Sequence, residues 1–120
     1  MSDLKLTDAE LNLAEIIWHQ NTLTSSELIK LCEEEFGWKK STTYTLLKRM
    51  IEKGVFENRE GKIITLISKG NYEATQSKSF VKKTFGGSLP KFLAAFSKNE
   101  KLTEQEIEAL QNLIDKYREV

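Results

Sequence analysis

The chain has 120 residues, with 18 Lys/Arg exactly offset by 18 Asp/Glu, so no protein-wide basic field can draw it to nucleic acid. That length holds one compact domain plus a small appendage. One His and one Cys are too few for a His/Cys metal constellation, and no phosphate-binding glycine loop is present, so binding rather than catalysis is expected, without a cofactor.

No apolar run is long enough to span a membrane, and the N-terminus is acidic rather than a basic and apolar signal. The lone Cys32 fits a reducing compartment, so a cytoplasmic protein is expected. Cys32 is read as a small buried hydrophobe, with a redox-sensing thiol as the alternative. His19 is read as a solvated or capping group at a helix end.

The first helix should start near Asp8 and run to about Gln20. Thr7 and Glu10 form a capping box, and Leu6 and Leu11 a hydrophobic staple. Leu11, Ala14, Ile17 and Trp18 are expected to face inward. Thr24 and Glu27 repeat the box, stapled by Leu23 and Leu28, and open a second helix over about Ser25 to Glu35. It should bury Leu28, Ile29, Leu31 and Cys32. Phe36, Gly37 and Trp38 then form a tight apolar turn.

The third helix lies within Trp38–Gly54. Thr43, Leu46, Leu47, Met50 and Ile51 gather on one side at about 100° per residue. Ser41, Thr45, Lys48 and Glu52 gather on the other, flanked by Thr42, Tyr44 and Arg49. Short hydroxyls and cations on one face suit base edges and phosphates; an ordinary solvated face has the same composition. Gly54 suits the left-handed position just past a helix end.

A hairpin follows, with strands near Val55–Asn58 and Ile63–Ile67 around the turn Arg59-Glu60-Gly61-Lys62. Three short helices with the third facing outward, then a hairpin, is the order of a winged helix-turn-helix. Arg59, Lys62 and Lys40 suit phosphate contact, against the alternative of a solvated turn. Charge distribution separates the segments. Trp38 to Lys62 holds seven Lys/Arg against three Glu, a local balance of +4, whereas residues 1–35 hold two Lys against eight Asp/Glu.

The rest is helical and apolar. One helix is expected from about Ser68 to Phe85, broken by Gly86-Gly87, and a second begins at Pro90 with Leu89, Phe92, Leu93 and Phe96. Thr103 and Glu106 cap a last helix with the seam Ile107, Leu110, Leu113, Ile114 and Tyr117. These helices carry more apolar surface than they can hide alone. Either they pack back on the N-terminal domain or two copies pair through Phe80, Phe85, Phe92, Phe96, Ile107, Leu110, Ile114 and Tyr117. Pairing is the better reading, and a two-fold dimer suits a palindromic site on double-stranded DNA. The expected fold is mostly α with a small β-hairpin: a winged helix-turn-helix over 1–67, then a three-helix dimerisation segment over 68–120.

Leu6–Trp18, LTDAELNLAEIIW, and the pattern W-x-x-x-T-x-x-T-L-L-x-R-M-x-x-K-G from Trp38 to Gly54 resemble the penicillinase-repressor family, also called BlaI/MecI/CopY. Trp18, Trp38, Thr42, Thr45, Leu46, Arg49, Lys53 and Gly54 fall in register, and the resemblance covers essentially the whole chain. It implies a homodimeric transcriptional repressor of the β-lactamase type, on inverted half-sites of the TACA/TGTA kind. Thr42, Thr45 and Arg49 would make base or near-base contacts, supported by Ser41, Tyr44 and Lys48, while Lys40, Arg59 and Lys62 hold the backbone.

The sequence departs from the family at Thr43, where Val or Ile is usual, and at Lys39-Lys40, where Ser-Pro is common. A threonine at 43 is expected to bury its methyl and bond its hydroxyl back to the helix. In the penicillinase branch the resemblance implies release through a regulatory protease acting at an Asn-Phe bond; here that place reads Ala94-Ala95-Phe96-Ser97. The copper branch uses paired C-terminal cysteines, and none follows Cys32. The alternatives are a small-ligand-responsive winged-helix regulator, with a pocket under Phe80, Phe85, Phe92 and Phe96, a copper-type repressor lacking the cysteine motif, and a winged-helix module that binds only protein.

Overall fold

The structure, a computed structural model, describes residues 4–119. Its elements are α1 (Asp8–Trp18), α2 (Ser25–Phe36), α3 (Lys40–Glu52), β1 (Phe56–Arg59), β2 (Lys62–Thr65), α4 (Lys69–Phe85), α5 (Leu89–Asn99) and α6 (Glu104–Arg118). The chain divides into two compact units, Met1–Ser79 and Phe80–Val120.

All three expected capping boxes form. The Thr7, Thr24 and Thr103 hydroxyls accept from the amides of Glu10, Glu27 and Glu106, and each Glu accepts from the threonine's own amide. Two of the four orphan donors at each helix start are thereby satisfied. Helix α2 ends at Gly37 in the left-handed conformation, φ 67°. That choice favours glycine and turns the chain sharply into α3.

The core of the first unit is shared by every early element: Leu13, Ala14 and Ile17 from α1, Leu28 and Cys32 from α2, Leu46, Leu47 and Met50 from α3, and Val55, Phe56 and Ile63 from the hairpin region. The inward stripe of α1 is rotated from the expected one. Leu13 is fully buried and Leu11 only partly, because Glu10 takes an inward position at the head of the stripe. Ile29 and Leu31 of α2 are likewise only half-buried.

Strands β1 and β2 pair antiparallel with Phe56 opposite Thr65 and Arg59 opposite Lys62. Glu60 and Gly61 both have positive φ, 54° and 85°, the pair of conformations a two-residue type I′ turn demands. The α1–α2 connection adds a short third edge, as the Ile63 amide donates to the Leu23 carbonyl at 2.8 Å and the Ser25 amide to the Gly61 carbonyl at 2.9 Å. Three helices with α3 outermost, closed by this hairpin, make a winged helix-turn-helix.

Helix α4 starts on the same unit. Tyr72 packs on Trp18 with ring centroids 5.7 Å apart, the Trp18 indole N–H donates to the Ile67 carbonyl at 3.0 Å, and Lys69 pairs with Glu15. In the second unit Gly86 and Gly87 end α4, Ser88 caps α5, and Phe80, Phe85 and Phe92 stack edge to face. None of the described residues of that unit is buried.

Candidate nucleic-acid interface

Helix α3 is amphipathic, and its inner side is sealed: Thr43, Leu46, Leu47 and Met50 are buried. Burial of that stripe fixes which residues point outward. Ser41, Thr42, Tyr44, Thr45, Lys48 and Arg49 are all exposed, as is Lys40 at the first turn. Thr42, Thr45 and Arg49 fall within about 60° of one another, a single strip along the helix.

Beside the strip lies a shallow hollow of about 320 Å³ lined by Ala9, Ser41, Thr42, Thr45, Leu46 and Arg49. Ala9 belongs to α1, whose sequence signals concern only its cap and core, so the wall it gives this surface was not readable there. A longer side chain at this position would fill the space beside Arg49.

The cations on this surface are not equivalent. Lys40 Nζ sits 5.7 Å from the centre of the Tyr44 ring, within reach of a weak cation–π attraction. Lys48, Arg49 and Lys62 make no ion pair within the described residues. Arg59 pairs with Glu57 on the same face of β1. Lys53 turns inward: its ammonium donates to the Glu10 carboxylate at 2.6 Å and to the Lys5 carbonyl at 2.9 Å. Two of the seven cations that gave this segment its +4 balance therefore have carboxylate partners within the chain, Lys53 against the buried Glu10 and Arg59 at the exposed surface. Sequence position alone does not separate a structural lysine from a free one.

Hydroxyls differ as well. Thr45 donates its hydroxyl hydrogen to the Ser41 carbonyl at 2.9 Å, whereas the Thr42 hydroxyl makes no hydrogen bond within the described residues. The buried Thr43 hydroxyl does not bond back to its helix as expected and has no partner of ordinary geometry. Its neighbour is the Cys32 thiol, which burial pushes up in pKa and the Thr43 hydroxyl draws part of the way back. Cys32 is fully buried, as expected of a packing residue.

A family model described as "Penicillinase repressor" matches residues 6–116. The chain belongs to this family. It is 27% identical to the penicillinase repressor of Bacillus licheniformis over 118 residues, covering 95% of this chain and 92% of the relative. It is 25% identical over 116 residues to the methicillin resistance regulatory protein MecI of Staphylococcus aureus strain N315, covering 93% and 94%. Among solved structures, the DNA-binding domain of the repressor BlaI in solution aligns at TM-score 0.52 and 29% identity, over 59% of this chain and 92% of that one. Bacillus licheniformis BlaI in monomeric form, in complex with the blaP half-operator, aligns at 0.51 and 25%, again over 59% and 92%.

The penicillinase-repressor fold leaves a second surface to account for. Phe80, Phe96, Ile107, Ile114 and Tyr117 are exposed, Tyr117 at 75%, while Phe85, Phe92 and Leu110 are half-buried. Phe80, Phe85 and Phe92 pack on one another, and Phe96 lies against Phe92. Phe92 and Phe96 also line an open apolar groove of about 360 Å³ between α5 and α6, together with Leu93, Leu102, Leu110 and Leu113 among others. Ala95 and Phe96 lie within α5. Among the described residues no helix is long and apolar enough to cross a membrane.

Proposed function

We propose that this penicillinase-repressor family member is a homodimeric, sequence-specific DNA-binding repressor that silences a promoter by covering a palindromic operator. The observation that carries the reading is the exposed Thr42–Thr45–Arg49 strip on a helix whose other face is fully packed. Such a strip can enter a major groove without disturbing the core. Thr42, Thr45 and Arg49 take base or near-base contacts, and Ser41, Tyr44 and Lys48 support them. Lys40, Arg59 and Lys62 take phosphates. The BlaI structure with a half-operator supports this assignment by family likeness.

Residues 1–67 form the DNA-binding domain and 68–120 the dimerisation segment in this reading. The absence of any buried residue among those described in the second unit supports a partner copy on the α5–α6 groove. The repressor works in the cytoplasm, and a regulatory protease is its expected route of release. With Ala95 in place of asparagine and the bond inside a helix, cleavage would require α5 to open locally.

Selection of bound duplexes from a random pool at physiological salt tests the proposal. An enriched inverted repeat, with a protein mass of two chains per duplex, is expected. No enrichment, or a single unrepeated half-site, would overturn it.

A further inference from the structure

Resting on the proposed reading of α3, the geometry points to Thr45 as a specificity residue that can only accept: it reads an exocyclic amino group in the major groove, adenine N6 or cytosine N4. A threonine hydroxyl owns one hydrogen and two lone pairs. In Thr45 that hydrogen is given to the Ser41 carbonyl one turn earlier, at 2.9 Å. What faces outward is an oxygen with lone pairs only, and a methyl group.

Such an oxygen has no hydrogen for guanine N7 or O6, adenine N7 or thymine O4, all of which are acceptors. The complementary groups on base edges are the amino groups of adenine and cytosine. Neighbouring residues divide the work. Thr42 keeps its hydroxyl hydrogen uncommitted, so it can donate or accept, and Arg49, without an ion-pair partner within the described residues, can only donate. The strip thus presents a mixed group, an acceptor and a donor in order, which would distinguish base pairs by the pattern of their edges.

The test uses the full-length protein and its selected operator, with single atoms deleted from the DNA. Amino groups are removed one at a time, adenine to purine and cytosine to pyrimidin-2-one, and purine N7 acceptors are removed as 7-deaza analogues. One amino deletion per half-site should weaken the wild type about 5–10-fold, the loss of one hydrogen bond. Thr45→Val, which keeps the shape but loses the oxygen, should be indifferent to that same deletion. Thr45→Ser, which keeps both the oxygen and the back-bond, should remain sensitive to it. Coupling of Thr45 to a 7-deaza substitution, or to no deleted amino group, would overturn the inference while leaving the repressor reading intact. Failure of the random pool to yield any operator would overturn both.

Discussion

Lys53 Nζ lies 2.6 Å from Glu10 Oε1, which ties the end of the helix bearing Thr42, Thr45 and Arg49 to the first turn of α1. Glu10 is 1% exposed and its carboxylate also accepts from the Thr7 amide, so the pair closes a capping box and an interhelical link with one oxygen. Glu10→Ala should cost about 1–3 kcal/mol, below the range for a sealed pair because the Lys53 side chain is 34% exposed. Urea unfolding measures it. A loss below about 0.5 kcal/mol would mean that water replaces the pair without penalty.

The same pair gives stability a pH dependence. Burial works to raise the Glu10 pKa, but the Lys53 ammonium and the Thr7 hydrogen bonds outweigh it and hold the carboxyl below its usual range. The folded state therefore binds this proton less readily than the unfolded chain. The contribution is fully present above the ordinary Glu value and is lost as pH falls through the lowered one. Unfolding midpoints measured from pH 7 downward should fall more steeply below about pH 4.5 in the wild type than in Glu10→Gln. Parallel curves would remove Glu10 as the source.

Much of this was legible from local signals. Capping boxes at Thr7, Thr24 and Thr103, the left-handed glycines and the buried stripe of α3 depend on neighbours within one or two turns, and sequence spacing records those directly. The partners of Lys53 and Arg59 were not legible, because they are set by tertiary packing or by side-chain direction on a strand. Ala9 gave no signal, since an alanine in a first turn looks the same whether or not another helix lies beside it. The register of β2 against Leu23 and Thr24 was hidden for the same reason.

Thr43 carries a buried hydroxyl with no well-formed bond. Replacing it with the isosteric valine removes an unsatisfied polar group without changing volume, so Thr43→Val should stabilise the protein by about 0.5–2 kcal/mol. Thermal unfolding should show the midpoint rising. A drop would mean that the contact with the Cys32 thiol is worth more than the hydroxyl's desolvation.

The wing tip holds Glu60 at φ 54°, the single described non-glycine residue with positive φ. A side chain in the left-handed region costs about 1–2 kcal/mol, so Glu60→Gly should recover part of that and Gly61→Ala should lose a similar amount. No atom lies within 4 Å of a Cβ built at Gly61, so the penalty there is conformational rather than a clash. Paired melting curves check both signs together.

Glu57 holds Arg59 on the surface of β1, whereas Lys62, directly opposite Arg59 in the hairpin, is exposed and has no ion-pair partner within the described residues. If phosphates are the wing's ligands, these two cations should respond differently to mutation. Lys62→Ala should reduce the slope of log affinity against log salt by about 1 per protomer. Glu57→Gln frees the Arg59 guanidinium and removes a negative charge from the same strand, so affinity should rise and the slope steepen. Arg49→Ala should instead weaken the selected operator about 5–150-fold and relax preference at one position, with little change on unrelated DNA. Equal weakening on every sequence would make Arg49 a phosphate clamp, leaving the threonines to read the bases.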